Sequence, residues 1–154
     1  MKQRDRICLA RGTVPLYVLF IGEAPGASED AIGLPFVGPA GKLLDQIIDR
    51  ATVDIAICTT CGGIRYKDGD DWTCAGGHWR ADGHGGRNVS YALTNLVCCF
   101  PREAKERGDN EPKSAEITAC EPRLVEFVNI AQPRLIVCVG ALAAQWIDHA
   151  DTVK

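Results

Sequence analysis

The chain has 154 residues, a formal net charge of −3 at neutral pH and eight cysteines. This length suits one domain with one core, and the composition is that of a globular protein, which excludes a fibrous or disordered chain. The small negative charge excludes a broadly basic surface, so any contact with DNA has to be local. We find no apolar segment of signal-peptide or membrane-spanning type and expect a cytoplasmic protein whose cysteines bind metal instead of forming disulfides.

The first third of the chain predicts a strand, two turns and a helix. Residues 16–21 form an unbroken apolar run, which predicts a buried strand. A turn with acidic residues follows, Gly22-Glu23-Ala24-Pro25-Gly26, and a second glycine-rich turn leads into a predicted helix over residues 39–51. This order places carboxylates at the carboxyl end of a strand, where α/β domains build sites. The backbone N–H groups of residues 38–42 are expected to be free to hold an anion.

The rest of the chain alternates between strands and helices. Strands are predicted over residues 53–57 and 91–97, and a polar loop over residues 101–112. A helix is expected from the N-cap Ser114 to about Ala131, with a kink or break at Pro122. A second buried strand over residues 135–139 and a helix over residues 141–149 complete the pattern. Alternation of this kind predicts a parallel sheet with helices on both faces.

Residues 58–87 are rich in Gly, Cys, Asp and His and read as an inserted lobe. The spacing of Cys58, Cys61, Cys74 and His78 is that of a zinc ribbon, with a β-hairpin between the two pairs. His84 competes with His78 as the fourth ligand. A lobe with so little core needs metal for its folding energy, so Zn²⁺ is the predicted occupant. Its role is either structural or an added DNA contact.

Several ordered motifs carry a resemblance to a known family. The first block reads Gly-Glu-Ala-Pro-Gly-x-x-Glu-Asp from Gly22, followed by Gly-x-Pro-Phe-Val-Gly-x-Ala-Gly-x-Leu-Leu-Asp ending at Asp45. Later blocks are residues 93–97, 99–101, 116–124 and 133–143. Together they resemble the family 4 (iron–sulfur) uracil-DNA glycosylases. The resemblance implies a single domain over residues 1–154, with a three-layer αβα fold around a mainly parallel sheet and the lobe inserted in it.

The resemblance also implies a site for excising uracil from DNA in base excision repair. Phe36 matches the family's stacking position, and Asn95 is the side chain that would read the uracil edge. Glu23 and Glu29 are both candidates for orienting water or stabilising the oxocarbenium-like sugar, and the sequence does not rank them. The remaining predicted substrate-binding residues belong to the two turns: Gly22, Ala24, Pro25, Gly26, Gly38 and Gly41.

A [4Fe–4S] cluster on four cysteines is the cofactor that the resemblance implies. Cys99 and Cys120 match two ligands, and Cys8 matches the second cysteine of an N-terminal pair. The first position of that pair is Asp5, although cluster irons prefer thiolate. Cys98 is a possible substitute, but adjacent side chains rarely both reach one cluster. The remaining cysteine, Cys138, is expected in the core.

One family motif has no counterpart in the chain. A His-Pro-Ser-type loop is expected after a further strand, and His149 lacks the proline that would identify it. Two interpretations follow: a fragment that another polypeptide or a downstream segment completes, or a shortened protein that keeps the fold without the activity. The loss of a final strand would expose a sheet edge. The predicted function is therefore a uracil-DNA glycosylase, with a catalytically weak DNA- or partner-binding module as the alternative.

Overall fold

The structure is a computed structural model that describes residues 6–52, 55–61, 63–68, 71–74, 76, 86–101 and 111–149. His78, His84 and Asp5 lie outside these residues, as does most of the predicted polar loop over residues 101–112. The elements in chain order are β1 (Ala10–Gly12), β2 (Val18–Gly22), α1 (Ala27–Ile32), α2 (Pro39–Thr52), β3 (Ile55–Cys58), β4 (Ile64–Asp68), β5 (Asp71–Cys74), β6 (Gly86–Arg87), β7 (Tyr91–Asn95), α3 (Ser114–Ala131), β8 (Leu135–Cys138) and α4 (Ala141–His149).

These elements form two units, one from residues 1–42 and 90–154 and the other from residues 43–89. The first unit holds a four-stranded sheet in the order β1-β7-β2-β8. Strand β2 is parallel to both β7 and β8, and β1 is antiparallel to β7. The predicted α/β class with a central, mainly parallel sheet is therefore confirmed.

The core of the first unit forms where helices α3 and α4 pack on one face of this sheet. Leu19 and Ile21 of β2 are fully buried there, against Leu124 and Val128 of α3 and Trp146 of α4. The Trp146 indole N–H also donates a 3.0 Å hydrogen bond to the Glu121 carboxylate, which ties the two helices together. The helical spacing of the apolar residues in α3 thus marks the face that the sheet covers.

Four details of the first unit differ from the sequence-based expectations. Helix α3 begins after Lys113, whose N–H bonds the Glu116 carboxylate at 2.8 Å, so Ser114 is the first helical residue and not the cap. The break that was one of the two outcomes expected at Pro122 does not occur, because tertiary packing of the buried face outweighs one lost backbone bond, whereas the kink stays a prediction. Strand β7 ends at Asn95, two residues before its predicted end.

Strand β8 is the fourth difference, because it was expected to be buried. It pairs only with β2 among the described strands and lies at the end of the sheet order. Leu135 is 48% exposed, and the rest of the strand is half-buried. An apolar run marks a strand but does not say whether a neighbour covers both of its sides.

The second unit contains a separate antiparallel sheet in the order β5-β4-β3-β6. The pairing of β4 with β5 confirms the predicted hairpin. Strand β3 adds to the other edge of β4, with Ile57 opposite Ile64. The unit includes the lobe predicted over residues 58–87, whose bounds stay a prediction. Within the described residues, every helix is too short or too polar to cross a lipid bilayer.

Candidate active site and metal centres

A cavity of about 650 Å³ opens in the first unit at the carboxyl ends of β2 and β7. The two strands end side by side, since Gly22 is the register partner of Asn95. The Leu96 N–H extends the pairing with a 2.9 Å bond to the Gly22 carbonyl. The volume lies in the range of small-molecule pockets. Ligands of open α/β sheets bind at this end of the strands, so the cavity is the candidate site.

The wall of the cavity is formed by nearly all of the site residues that the sequence predicts. Nine of them line it: Glu23, Ala24, Pro25, Gly26, Glu29, Phe36, Gly38, Gly41 and Asn95. The sequence did not single out a further six lining residues: Ala27, Ser28, Pro39, Ala40, Glu111 and Pro112. Glu111 and Pro112 precede α3 and carry no motif of their own, so only the fold reveals that they reach the cavity.

Gly22 is the predicted site residue that does not line the cavity, and its lack of a side chain lets two others approach. A Cβ atom at this position would lie 2.5 Å from both Asn95 Oδ1 and Phe36 Cζ. No other residue type fits there without displacing one of the two. Asn95 is 3% exposed and Phe36 is half-buried. A carboxamide and an aromatic ring from distant parts of the chain therefore meet on one side of the cavity.

Phe36 is held in an uncommon backbone conformation. Its φ angle is 58°, in the left-handed region that side chains other than glycine rarely adopt. Arg11 of β1 donates hydrogen bonds to the Pro35 carbonyl at 2.8 Å and to the Phe36 carbonyl at 3.0 Å. A Cβ atom at Gly41 would overlap that same Phe36 carbonyl. Arg11 and Gly41 thus stabilise the turn that presents the ring, and no motif in the sequence singled out Arg11.

Both carboxylate oxygens of Glu29 accept hydrogen bonds from backbone N–H groups. Oε2 accepts from Gly26 at 3.1 Å, which caps helix α1, and Oε1 accepts from Gly38 at 2.6 Å. The residue is 9% exposed. Glu29 therefore ties the first turn of the site to the second. The expectation that the Gly38 N–H is free to hold an anion is wrong, because Glu29 already occupies it.

Glu23 differs from Glu29 in both exposure and contacts. Its side chain is partly exposed and lines the cavity. Its Oε1 atom lies 3.5 Å from the Leu142 N–H in the first turn of α4, and a Cβ atom at Gly140 would lie 2.5 Å from it. The N-terminus of a helix stabilises a nearby negative charge. Among the described residues, the Glu23 carboxylate is thus held at the cavity wall by one long contact, not by two short ones.

Arg123 of α3 fixes the backbone that carries Asn95. Its guanidinium donates to the Asn95 carbonyl at 2.7 Å and to the Thr94 hydroxyl at 3.2 Å. Its Nε atom is buried, and among the described residues it has no hydrogen-bond acceptor. A buried arginine N–H without an acceptor is rare in proteins.

The sulfurs of Cys99 and Cys120 lie close to that of Cys98 near Arg123, and Cys8 joins them through its backbone. We call these four residues the cysteine locus. Cys98 Sγ lies 3.9 Å from Cys99 Sγ and 3.8 Å from Cys120 Sγ. The Cys8 N–H donates a 2.8 Å bond to the Cys98 carbonyl, and the Cys8 thiol lies 3.2 Å from the Glu29 carbonyl. The N-terminal segment, the loop after β7 and helix α3 contact one another at this locus.

Burial and crowding oppose ionisation of two thiols in the locus. Burial raises the pKa of Cys8 to about 11, and the charges of Asp30, Glu29 and Cys99 add to the effect. The pKa of Cys98 rises to about 12 because of burial and the neighbouring Cys120 and Cys99, while the charge of Arg123 acts in the opposite direction. Closely packed thiols of this kind ionise when a metal binds them.

The second unit holds a separate group of three cysteines that could hold a metal ion. The Sγ atoms of Cys58, Cys61 and Cys74 all lie within 4.8 Å of one another, and those of Cys61 and Cys74 are 3.7 Å apart. The backbone N–H of Cys61 lowers the pKa of Cys58 to about 6 by hydrogen bonding to its sulfur. The structure therefore brings together the three predicted cysteine ligands, whereas His78 and His84 fall outside the described residues.

Comparison with known proteins places these features in one family. Residues 11–153 match the uracil DNA glycosylase superfamily. A type-4 uracil-DNA glycosylase of Pyrobaculum aerophilum is 31% identical over 94% of this chain and 54% of its own length. The type-4 enzyme of Archaeoglobus fulgidus is 31% identical over 84% of the chain and 46% of its own length. That of Thermotoga maritima is 27% identical over 91% and 53%. The chain spans about half the length of the curated relatives it matches. The sheet, the cavity at its carboxyl edge and this match over most of the sequence establish that the chain belongs to the uracil DNA glycosylase superfamily.

Proposed function

We propose that the chain excises uracil from DNA by hydrolysing the N-glycosidic bond between the base and deoxyribose. The observation that carries this proposal is the meeting of Asn95 and Phe36 over Gly22, inside a cavity large enough for a nucleotide base. The curated relatives named type-4 uracil-DNA glycosylase support the same activity. Base-excising enzymes extrude the target base into such a pocket and read it by stacking and edge hydrogen bonds.

Asn95 and Phe36 would recognise the flipped base. The Phe36 ring offers an apolar face for stacking, in an orientation held by Arg11 and Gly41. The Asn95 carboxamide provides one acceptor and two donor hydrogens. It can accept from the uracil N3–H and donate to O4. Cytosine presents the opposite pattern at these two positions, so it would leave the buried amide with mismatched partners.

The geometry favours Glu23 over Glu29 as the carboxylate that acts on the sugar. Both oxygens of Glu29 already accept short backbone bonds, so we assign it a positioning role. Glu23 lines the cavity, and its carboxylate makes one long contact with the part of the chain that the structure describes. As the glycosidic electron pair leaves with uracil, the Glu23 carboxylate would stabilise the positive charge on the sugar. It would also orient the water that adds to C1′ and accept its proton, while the uracil anion takes up a proton after departure.

The cysteine locus is proposed to hold the [4Fe–4S] cluster that the resemblance to family 4 implies. Cys8, Cys99 and Cys120, the residues that match the family's ligands, would supply three of the four thiolates that such a cluster requires, and the positive charge of Arg123 acts on the neighbouring Cys98. When bound, the cluster would supply a structural cross-link between the N-terminal segment, the loop after Asn95 and helix α3. Helix α3 also carries Arg123, so this cross-link would steady the Asn95 backbone.

Zn²⁺ is the proposed occupant of the second cysteine group, with Cys58, Cys61 and Cys74 as ligands and His78 as the fourth. Zinc–thiolate bonds of about 2.3 Å place the sulfurs of one tetrahedron about 3.8 Å apart. The 3.7 Å between Cys61 and Cys74 agrees with that spacing. Thiolate ligation of this kind suits a reducing compartment, so we propose a cytoplasmic location for the protein.

Incubation of the purified, metal-loaded chain with a single-stranded oligonucleotide that contains one uracil tests the proposed activity. Alkali cleaves the strand wherever an abasic site has formed. We expect strand cleavage at the uracil and none in the matched oligonucleotide with cytosine. Binding to the uracil strand without abasic-site formation would instead support the binding-module alternative.

A further inference from the structure

The chain that leads from β8 into α4 runs beside Glu23, and we call residues 139–142 the α4 entry. The Val139 N–H donates a 2.8 Å bond to the Ile21 carbonyl, which continues the pairing of β8 with β2. On the other side of β2, the Val97 N–H donates a 3.1 Å bond to the Glu23 carbonyl. The sheet therefore fixes the backbone of Glu23 and the α4 entry next to each other.

Gly140 in the α4 entry lies against the whole end of the Glu23 side chain. A Cβ atom at this position would lie 2.5 Å from Oε1, 3.0 Å from Cδ and 3.2 Å from Cγ of Glu23. The φ angle of Gly140 is 113°, a conformation that favours glycine. An added methyl group would push the carboxylate away, because the end of a glutamate side chain can rotate whereas the paired backbone cannot. The missing side chain of Gly140 thus decides how close the carboxylate lies to α4.

Leu142 provides a second, electrostatic contact from the same segment. Its N–H lies 3.5 Å from Glu23 Oε1, in the first turn of α4, where backbone N–H groups have no acceptor within the helix. The N-terminus of a helix stabilises a negative charge. Hydrogen bonds of catalytic groups are often long before substrate binds and shorten in the complex. Steric contact at Gly140 and attraction at Leu142 therefore act on the same carboxylate oxygen.

We propose that the α4 entry positions the Glu23 carboxylate for its action on the sugar, with Gly140 as the positioning residue that sets the place of this carboxylate in the cavity. The proposal rests on the role proposed above for Glu23. It adds to the catalytic machinery a segment whose residues do not line the cavity. Asn95 and Phe36 bind the base without contacts to this segment, so the α4 entry should affect hydrolysis and not the binding of the DNA strand.

The first test measures kcat and KM on the uracil strand for wild type, Gly140→Ala and Gly33→Ala. Gly33 is the matched control, because its φ angle of 86° is also positive and a Cβ atom there would meet only the Arg6 side chain. We expect Gly140→Ala to lower kcat by up to about a hundredfold, the effect of misplacing a catalytic group by about 1 Å, with little change in KM. Gly33→Ala should keep the wild-type kcat. An equal fall in both variants would overturn the proposal, since it would show the effect of backbone strain alone.

A double-mutant cycle with Glu23→Gln separates positioning from a structural role. If Gly140 acts through the Glu23 carboxylate, Gly140→Ala should lower kcat in the wild-type background but hardly at all in Glu23→Gln, since residues that act as a unit are not additive. The same fold-change in both backgrounds would overturn the positioning role and leave uracil excision in place. A wild-type kcat in Glu23→Gln alone would overturn the proposed role of Glu23 together with this proposal.

Leu142→Pro and Leu142→Ala give a readout that needs no side chain at Gly140. Both variants lose the leucine side chain, which packs partly buried against the core, but only proline also removes the N–H that faces Glu23. Proline is tolerated in the first turn of a helix, and circular dichroism verifies that both variants fold. We expect kcat of Leu142→Pro to lie roughly two- to fivefold below that of Leu142→Ala, the usual effect of a charge at a helix end. Equal kcat values in the two folded variants would contradict the contact on which the proposal depends.

Discussion

At the residue scale, the site depends on side chains whose positions are set by close backbone approaches. Gly22 and Gly41 could be singled out from the sequence because the motif that contains them is specific. The partners that fix the geometry could not, since the Arg11 and Arg123 contacts join residues 24 to 28 positions apart. The local sequence pattern therefore identifies the residues of the turns, whereas only the fold shows that Arg11 and Arg123 bind the backbone of the site.

Asn95→Asp is predicted to reduce the preference for uracil over cytosine. A carboxylate at this position accepts hydrogen bonds but cannot donate to O4 of uracil, whereas it can accept from the amino group of cytosine. A mismatched or missing hydrogen bond to a charged group costs about 1.5–3 kcal/mol, so the ratio of kcat/KM values for the two bases should fall by at least about tenfold. Asn129→Asp, on the exposed side of α3, is the control. An unchanged ratio for Asn95→Asp would refute the proposed edge-reading role.

Arg11→Ala is predicted to weaken stacking on Phe36 without touching the cavity. The variant removes both hydrogen bonds that hold the left-handed turn, and a residue in such a conformation costs about 1–3 kcal/mol when its surroundings no longer fix it. We expect kcat/KM for the uracil strand to fall by roughly tenfold or more. Arg11→Lys keeps the charge but lacks the planar fork that reaches two carbonyls, so it should restore activity only in part. Wild-type kinetics in Arg11→Ala would show that Phe36 does not need this support.

At the element scale, the two glutamates contact different helices, α1 and α4, and these contacts indicate different roles. Glu29 caps α1 and reaches across to Gly38, while Glu23 faces the first turn of α4. The sequence offered both as catalytic candidates because both follow the same strand. Acids near helix N-termini look alike in sequence whether they serve the helix or a substrate. The hydrogen-bond partners provide the distinction.

Glu29→Gln and Glu23→Gln should therefore separate stability from catalysis. In Glu29→Gln one of the two oxygens is replaced by an NH2 group, which cannot accept from the N–H that it faces. We therefore expect a loss of about 1.5–3 kcal/mol in the free energy of unfolding. The Glu23 variant should lose less than about 1 kcal/mol, the usual value of a charge near a helix end, yet show the larger fall in single-turnover rate. Thermal unfolding and excision kinetics on the same samples provide the comparison. A Glu23 variant with an unchanged rate would remove Glu23 from the mechanism.

Helix and strand assignments show where sequence periodicity is sufficient. The apolar spacing from Ile117 to Val128 correctly predicts α3 and its buried face. Periodicity alone misplaces the cap, because the bond from Lys113 to Glu116 depends on backbone geometry. It also cannot show that β8 lies at the end of the described sheet order, since an apolar run is compatible with one covered side or two. The type of an element follows from the local sequence pattern, whereas the exposure of its side chains depends on which other elements pack against it.

At the scale of the whole molecule, cysteines serve the two units in different ways. The first unit has a core of aliphatic side chains and Trp146, and the cluster proposed for its cysteine locus would add a cross-link. Among the described residues of the second unit, the buried apolar side chains are few and include two of its proposed zinc ligands, Cys58 and Cys74. The sequence predicted the zinc-ribbon spacing because its ligands are close along the chain. It could not predict the contact between Cys98 and Cys120, which depends on the packing of α3.

Zinc removal is predicted to unfold the second sheet selectively. Metal ligation supplies most of the folding free energy in units with so small a core, so Cys61→Ser should abolish zinc binding and speed amide hydrogen exchange in β4 and β5. Exchange in β2 and β7 should stay unchanged, because their protection depends on the core of the first unit. Cys138→Ser, which changes a half-buried cysteine of β8 in the first unit, is the control. Equal protection of β4 and β5 with and without zinc would mean that the metal is not structural.

The central claim is that the cavity formed by Asn95, Phe36 and Glu23 hydrolyses the glycosidic bond of uracil in DNA. Release of the free base is its most direct measure, because nuclease or lyase contamination does not produce free uracil. Mass spectrometry of the small-molecule fraction, after reaction of the metal-loaded chain with a uracil-containing strand, should find free uracil in amounts equal to the abasic sites formed. The absence of free uracil, from a folded protein that binds the strand and contains its metals, would contradict the account.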